Sequence, residues 1–451
     1  MKGETVLRDG EAGALGSGAV DRSVRQSDLG TRTTGDARSR LDTFGIPVAL
    51  FVAAAAVYAT INQGRPARVE YFVPLADAFL HGKLGLSAAY TWLSEVVIGK
   101  NGLYDVPYPP APAVLLMPVV AIFGTGFEQS WATIVLGATN VALMSIAIGN
   151  MGVSRRTRVV LSLVFAFGTI VWFSAQAGTA WHLEHIVAMF FMLLAILACQ
   201  RDRSPFLIGL LFAGAITSRM ALLLAAPFFA AYLFDRGQRE RSGDRLPFGF
   251  IGGSTALVRD TTFNVGRLVD PALAMLVPLT IAALGLFAYN DARFGSIFQT
   301  GYGLLPSFKT PQYSHGLFST AYFHSDFSGL FLSRAVVGDH FPWLFPGVLG
   351  GPSILLTSPI FLWAFKARRL DWFNVGAWSS VVLVLIPTLF YADWGGVQFG
   401  FRSAQEVYPF LMLLTVRGLK DRIGFLAWVA ITVGLVVNLW GMAFATSGWW
   451  Y

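Results

Sequence analysis

Two carboxylates in one short stretch of the chain have a spacing suited to acid–base chemistry. Glu70 and Asp77 lie seven residues apart, two turns of an α-helix, so on a helix they would share a face, with His81 one turn further on. A carboxylate at a water-poor surface has its pKa raised and can act as a general base near neutral pH. The alternative is that these residues are only the polar face of an interfacial helix.

An arginine interrupts an apolar stretch at Ser218-Arg219. A guanidinium in such a place must face protein, water or lipid headgroups. It either marks a turn at the membrane interface or binds a substrate phosphate, which a guanidinium contacts with two parallel hydrogen bonds.

The run His182-Leu183-Glu184-His185 resembles part of a metal-binding motif. A helix would put His182 and His185 on one face, but two nitrogens without a third ligand do not make a zinc site. The pattern favours hydrogen-bonded histidines that face a cavity.

A late polar segment holds Asp393, Gln398, Arg402 and Glu406, interleaved with glycines that let the backbone approach a ligand. Arg402 and Glu406, four residues apart at a predicted helix start, can pair with each other as a structural clamp. Together with Asp393 and Gln398 they would instead form one wall of a polar cavity.

The elements that position these residues are those of a membrane protein. Of 451 residues, 55% are hydrophobic and 13% charged, about half the charged fraction of a soluble domain. This composition predicts an all-α polytopic membrane protein with about 10 to 13 spanning helices. The net charge of +7 lies mainly in short loops, so it indicates topology and not nucleic-acid binding. The single Cys199 excludes an intramolecular disulfide and a cysteine metal cluster.

The domain organisation follows from where the apolar runs begin. Residues 1–42 carry seven Lys/Arg and seven Asp/Glu without periodicity, which predicts a disordered cytoplasmic tail. Residues 43–451 would form one transmembrane domain. Basic residues before the first span favour a cytoplasmic N-terminus, so the loop at 64–111 and a second long loop at 290–346 would be external. The first loop is too charged to span, and we expect it to carry interfacial helices.

Several short motifs follow one another in order between residues 45 and 420. They are the runs 75–84 and 108–112, Phe167-Gly168-Thr169, Trp181 with His185, 209–214 followed by Ser218-Arg219, 289–295, Thr300-Gly301-Tyr302, Thr357-Ser358-Pro359 and Phe399-Gly400-Phe401-Arg402. Together they resemble the GT-C superfamily, polytopic glycosyltransferases that use polyprenyl-phosphate-linked sugars. Within it they are most similar to bacterial members akin to the protein mannosyltransferases, so the resemblance implies a GT-C-like fold.

The resemblance implies an inverting transfer at the outer face of the cell membrane, from a polyprenyl-phosphate-linked sugar to a hydroxyl of a glycan, lipid or protein acceptor. A carboxylate would deprotonate that hydroxyl, and cationic groups would neutralise the departing lipid phosphate. The family carries an acid, usually Asp, in the first external loop as base or metal ligand. Glu70 occupies that place here, with Asp77 as the next carboxylate.

The remaining assignments also come from the resemblance. By position, Arg402 would bind the donor phosphate, with Arg219 and Arg293 as further candidates. A divalent metal is possible in the family, although the sequence offers no clear ligand set. The substrate cavity would be lined by His81, His182, His185, Tyr302, Asp393, Gln398 and Glu406.

Two other functions stay open. A transporter or flippase for a lipid or sugar would also have many spans, but such proteins are usually built from internal repeats, and no convincing repeat relates the two halves. A non-catalytic relative is the second alternative, because Glu70 departs from the usual Asp.

Overall fold

The computed structural model describes residues 41–63, 69–88, 90, 93–243, 245–252, 266–306, 310–339, 343–346, 351–393 and 398–446. By its internal contacts the chain divides into Met1–Ile46 and Pro47–Tyr451. The first unit is described only from Leu41 onward, so the predicted tail at 1–42 lies almost entirely outside the described residues. Every site residue discussed below belongs to the second unit.

The described chain is almost entirely helical. Its α-helices are α1 Ile46–Asn62, α2 Phe72–Leu80, α3 Ala111–Phe123, α4 Gln129–Asn150, α5 Arg155–Phe167, α6 Val171–Ala177, α7 Ala180–Gln200, α8 Pro205–Ile216, α9 Ala226–Ser242, α10 Gly266–Phe294, α11 Phe323–Phe327, α12 Ile354–Thr357, α13 Trp372–Thr388, α14 Tyr408–Leu419 and α15 Phe425–Thr446. The longer 3₁₀ segments are Met220–Ala225, Pro359–Lys366 and Arg402–Val407, and the π-helical turns are Leu41–Gly45 and Ser328–Leu332. Two antiparallel hairpins pair β1 Val97–Ile98 with β2 Tyr104–Asp105, and β3 Val336–Val337 with β4 Leu344–Phe345.

The predicted class, an all-α polytopic membrane protein, is confirmed. Among the described residues, 6 helices are long and apolar enough to cross a bilayer, or 7 if α5 and α6, bent by 52° at their junction, form one span. Three shorter apolar helices lie at Ala111–Gly126, Pro205–Ile216 and Trp372–Thr388. The number of spans reaches the lower end of the predicted range only when the α5–α6 pair and all three shorter helices are counted.

The described residues of the first loop pack against the rest of the protein. Between residues 69 and 110, the described part contains the helix α2, whose Phe72, Val73 and Leu75 are fully buried, followed by the β1–β2 hairpin. These side chains pack in a cluster with Tyr108 and Leu183. The loop is therefore docked into the protein by its apolar face, since burying those side chains against helices removes them from water.

The break after α8 presents Arg219 to the interior. The Thr217 hydroxyl donates to the Ala213 carbonyl oxygen and the Ser218 hydroxyl to that of Gly214, both at 2.8 Å. Such bonds compete with the helical backbone pattern and favour a helix end. Arg219 then takes an extended conformation, with φ −144° and ψ 105°, before the 3₁₀ segment Met220–Ala225 begins.

A glycine allows α8 and α10 to approach closely. A Cβ at Gly209 on α8 would overlap the backbone carbonyl oxygen of Met275 on α10. Because that oxygen belongs to a helix backbone, it cannot move aside as a flexible side chain would. The contact matters to function because both helices border the cavity described below.

We predict that Gly209→Ala lowers the free energy of unfolding by roughly 1–3 kcal/mol, since the added methyl group forces α8 and α10 apart. The matched control is Gly285→Ala on α10, where an added Cβ meets nothing within 4 Å. That change should leave stability equal or slightly higher, because alanine favours a helix over glycine. Unfolding in detergent, followed by intrinsic fluorescence, measures both; equal effects would contradict the close approach.

Candidate active site

A cavity of about 1360 Å³ opens between the first loop, the second loop and the ends of several helices. One part of its lining is apolar and comes from α8, α10 and the 3₁₀ segment Met220–Ala225. The other part is polar and charged, and comprises Glu95, Tyr108, Trp181, His182, Glu184, Arg219, Asn290, Arg293, Tyr302, Tyr313, Tyr391, Asp393, Arg402 and Glu406. A large pocket with few convergent charged groups is the usual form of a binding site.

A buried ion cluster forms one wall of this cavity. Arg219 Nη1 donates to Glu184 Oε1 at 2.6 Å, and its Nε donates to Glu406 Oε1 at 2.7 Å. His185 Nδ1 lies 3.6 Å from the same Glu406 oxygen. Because both carboxylates are buried, the Arg219 guanidinium is already neutralised by groups of the protein itself.

Some polar atoms of this wall are left for a ligand. Glu184 Oε2, Glu406 Oε2 and His182 Nε2 are buried and have no hydrogen-bond partner among the described residues. Burying such atoms without a partner costs free energy, so they are expected to be satisfied by bound water or substrate.

A further carboxylate that lines the cavity is Glu95, in the first loop. Its Oε2 accepts hydrogen bonds from Trp181 Nε1, at 2.9 Å, and from the Tyr108 hydroxyl. The Glu95 backbone N–H also donates to the Tyr71 hydroxyl at 2.9 Å. Burial first, and then the nearby Tyr302 and Glu95, raise the pKa of Tyr108 well above its ordinary value. The Tyr108 hydroxyl is therefore a donor at neutral pH.

Arg402 faces the same tryptophan. Its Cζ lies 5.3 Å from the centroid of the Trp181 ring, a cation–π distance. The 3₁₀ segment Arg402–Val407 carries this residue together with Glu406, so one short turn supplies both the ion cluster and the cation on Trp181. One indole ring thus separates the guanidinium of Arg402 from the carboxylate of Glu95.

Arg293 lines the cavity but is held by backbone. Its Nη1 donates to the Val106 carbonyl oxygen at 2.7 Å and its Nη2 to Asn290 Oδ1 at 3.2 Å. Beside it lies Asp105, whose two carboxylate oxygens have no hydrogen-bond partner among the described residues. Burial raises the pKa of Asp105 to about 6, against the opposing influence of Arg293. These contacts fasten the first loop to the end of α10.

Three of the residues proposed from the sequence, Glu70, Asp77 and His81, lie away from the cavity. Glu70 precedes α2, so it does not share a helix face with Asp77; its Oε1 accepts the backbone N–H of Gln129 at 3.0 Å, at the start of α4. An anionic group is favourable at a helix N-terminus. Asp77 lies 3.6 Å from Nδ1 of His81, and that His81 side chain is 68% exposed. None of the three is among the described residues that line the cavity.

The other sequence candidates fall into two groups. His182, Tyr302, Asp393 and Glu406 line the cavity, as do the three arginines Arg219, Arg293 and Arg402. His185 is buried behind the ion cluster, and Gln398 is buried outside the described lining. The sequence analysis missed Glu95. Its position in the polar first loop was visible, but its contacts with Tyr108 and Trp181, both within quoted motifs, depend on the fold.

Metal ligands are not clustered in the part of the chain that the structure describes. No group of three His, Cys, Asp or Glu side chains there is placed to hold a metal ion. A divalent metal therefore stays an expectation of the family resemblance alone.

Comparison with known proteins gives one structural similarity. No protein-family model and no curated protein matches the sequence. The structure is similar to the crystal structure of ArnT from Cupriavidus metallidurans bound to undecaprenyl phosphate, with 15% sequence identity and a TM-score of 0.47. The similarity covers 89% of this chain and 65% of that one, less than two thirds of its length. A TM-score of this size carries no residue assignment.

We predict that Arg219→Met destabilises the fold by roughly 3–5 kcal/mol, because it leaves two buried carboxylates without their shared cation. The triple variant Arg219→Met, Glu184→Gln, Glu406→Gln should recover a large part of that loss, since neutral amides are cheaper to bury. Melting temperatures in detergent provide the comparison. A triple variant as unstable as the single one would show that the ion cluster does not set this stability.

Proposed function

We propose that this chain is an integral membrane glycosyltransferase that moves a sugar from a polyprenyl-phosphate-linked donor to an acceptor hydroxyl, with inversion. The observation that carries the proposal is the arrangement around Trp181: Glu95 is hydrogen-bonded to the indole N–H, Arg402 lies on the indole face, and an apolar wall borders the same cavity. The motif resemblance to the GT-C superfamily is independent support. The N-terminus would be cytoplasmic and the site would face outward from the cell membrane.

The apolar wall supports a lipid-linked donor. Leu279, Ala282 and Leu286 of α10 line the cavity together with Ile216 and Leu223. Only 11% of the apolar window of α10 is buried inside the protein, so much of this helix is left to face lipid hydrocarbon as well as the cavity. An isoprenoid chain could therefore pass from the bilayer along α10 into the cavity without leaving an apolar environment.

The donor phosphate is assigned to Arg402. Arg402 lines the cavity on the face of Trp181, where a guanidinium can contact phosphate oxygens with parallel hydrogen bonds. Its charge would stabilise the phosphate as it leaves.

The general base is assigned to Glu95. The carboxylate takes the proton of the acceptor hydroxyl while that oxygen attacks the anomeric carbon from the face opposite the phosphate. The new carbon–oxygen bond forms as the bond to the phosphate oxygen breaks, and the electron pair leaves with the polyprenyl phosphate. Tyr108 and Trp181 hold the Glu95 carboxylate in place, so its orientation does not depend on the substrate.

We predict that Glu95→Gln lowers sugar transfer by roughly 10²–10⁴-fold, because the amide cannot accept the proton. Membranes that contain the variant would be incubated with a panel of polyprenyl-phosphate-linked mannose, glucose and arabinose donors. The Gln side chain still accepts from Trp181, so binding of undecaprenyl phosphate should persist.

Glu70→Gln is the matched comparison, since it changes another first-loop glutamate, one that contacts the start of α4 instead of Trp181. Transfer should survive in this variant with a modest loss of stability. If Glu70→Gln abolishes transfer and Glu95→Gln does not, the base is Glu70. If undecaprenyl phosphate binds but no donor supports transfer in the unmodified protein, the transporter or non-catalytic alternative is favoured.

We predict that Arg402→Gln weakens binding of undecaprenyl phosphate by roughly ten- to a hundredfold, the loss expected for a charged hydrogen-bonding group. Purified protein in nanodiscs and a labelled undecaprenyl phosphate would give the affinity. The control is Arg334→Gln, an exposed second-loop arginine that is not among the described lining residues. Unchanged binding in Arg402→Gln would remove the phosphate assignment.

A further inference from the structure

The second loop and the end of α13 give the cavity a wall of aromatic side chains. We call it the aromatic wall and define it as Tyr302, Tyr313, Phe318 and Tyr391. It is separate from the aliphatic part of the lining, which comes from α8, α10 and the 3₁₀ segment Met220–Ala225. The cavity therefore has two kinds of apolar surface, one suited to a flexible hydrocarbon chain and one made of flat rings that carry hydroxyl groups.

Backbone pairing fixes the outer part of this wall. Phe318 and Tyr391 face each other in an isolated antiparallel bridge, and their ring centroids are 5.3 Å apart. The Ser319 N–H donates to the Phe390 carbonyl oxygen at 2.9 Å, and the Ala392 N–H donates to that of Leu317 at 3.0 Å. Phe318 is nevertheless 60% exposed, so one ring of the wall is open to an incoming molecule.

The inner part of the wall reaches the proposed base. The rings of Tyr302 and Tyr108 meet edge to face with centroids 5.7 Å apart, and the Tyr108 hydroxyl donates to Glu95. Burial is the main cause that raises the pKa of Tyr302 and of Tyr313, and other groups of the cavity raise both further. Glu95 is among these groups. A molecule that lies along the wall would therefore end at the Glu95 carboxylate.

The second-loop side of the cavity contributes one carboxylate and no cation of its own to the described lining. Of the described residues from Gly295 to Asp393, those that line the cavity include no lysine or arginine, and Asp393 is their only ionisable carboxylate. The Tyr313 hydroxyl hydrogen-bonds to Asp393. The nearest cations are Arg219, which is paired in the ion cluster, and Arg402, which is assigned above to the donor phosphate. An anionic molecule on this wall would therefore compete with the donor phosphate, whereas a neutral molecule rich in hydroxyl groups would find acceptors and donors.

The wall tyrosines remain neutral donors. Burial raises the pKa of Tyr391, and the charge of Asp393 raises it further. Each phenol then offers one apolar face and one hydroxyl, which together match a sugar ring with its apolar C–H face and its polar edge.

We propose that the acceptor is a neutral glycan, whose sugar ring lies against the aromatic wall and presents a hydroxyl to Glu95. This inference rests on the proposed glycosyl transfer and names the acceptor class for the same site. The donor enters along α10 and the acceptor along the second loop, so the two substrates meet at Glu95 from different sides of the cavity.

The test uses the full chain in nanodiscs and saturation-transfer NMR with maltotriose, mannotriose and arabinotriose as neutral probes. A trimer of galacturonic acid is the anionic probe. At least one neutral trisaccharide should bind, and the anionic trimer should bind more weakly. Phe318→Ala, at an exposed position with little risk to folding, should weaken neutral binding roughly three- to tenfold. The matched control is Trp343→Ala, which alters an exposed second-loop aromatic that is not among the described lining residues.

Asp393→Asn tests the charge argument separately. This variant should bind the anionic and neutral trimers with more nearly equal affinity. Simple unfolding would not produce that effect, because it would weaken the binding of both. Selective binding of the anionic trimer, or equal loss in Phe318→Ala and Trp343→Ala, would overturn the inference.

Undecaprenyl phosphate binding, measured on the same samples, separates the two proposals. If the lipid binds and no neutral trisaccharide does, the acceptor inference fails and the transferase proposal stands. If no undecaprenyl phosphate binds, the transferase proposal fails, and the acceptor inference that rests on it fails too.

Discussion

The ion cluster of Arg219 with Glu184 and Glu406 is the interaction on which the geometry of the cavity depends. Its members come from α7, the break after α8 and the 3₁₀ segment before α14, which lie far apart in the sequence. A buried guanidinium and its carboxylates tolerate little displacement, because each lost hydrogen bond leaves a charge without compensation. The cluster therefore holds three segments that border the cavity in one arrangement. Burying these charged groups costs desolvation free energy that apolar residues would not cost. Charged groups buried within a membrane protein are typical of functional sites.

Trp181 links the ion cluster to the proposed base and the proposed phosphate ligand. Trp181 is the second residue of α7. Its indole N–H donates a hydrogen bond to Glu95, and the Arg402 guanidinium lies on the face of the indole ring. Since α7 also carries Glu184, the position of the indole is tied to the ion cluster by one rigid helix. The proposed base, Glu95, and the proposed phosphate ligand, Arg402, are in this way held on either side of one indole ring.

The first loop depends on contacts at its ends that have no direct chemical role. Glu70 holds it to the start of α4, and Arg293 holds the β1–β2 hairpin to the end of α10 through Val106. Gly85 and Gly99 leave the space that the buried Asp105 carboxylate occupies, since a Cβ at either position would overlap its oxygens. These contacts keep Glu95 at the cavity even though it lies on a loop and not on a helix or strand.

Composition alone determined the class of this protein, because a chain with so few charges can satisfy its backbone in a bilayer only through helices. The sequence also singled out Arg219, since a charge within an apolar run must have a partner or a purpose, and Arg402 through its polar segment and the family resemblance. It could not rank the carboxylates. Helical spacing grouped Glu70 with Asp77, but α2 begins after Glu70, and the tertiary structure instead brings Glu95 to Trp181, 86 residues away. Spacing reports neighbours within one element, whereas a cavity is formed between elements, so only the folded chain decided which acid meets which cation.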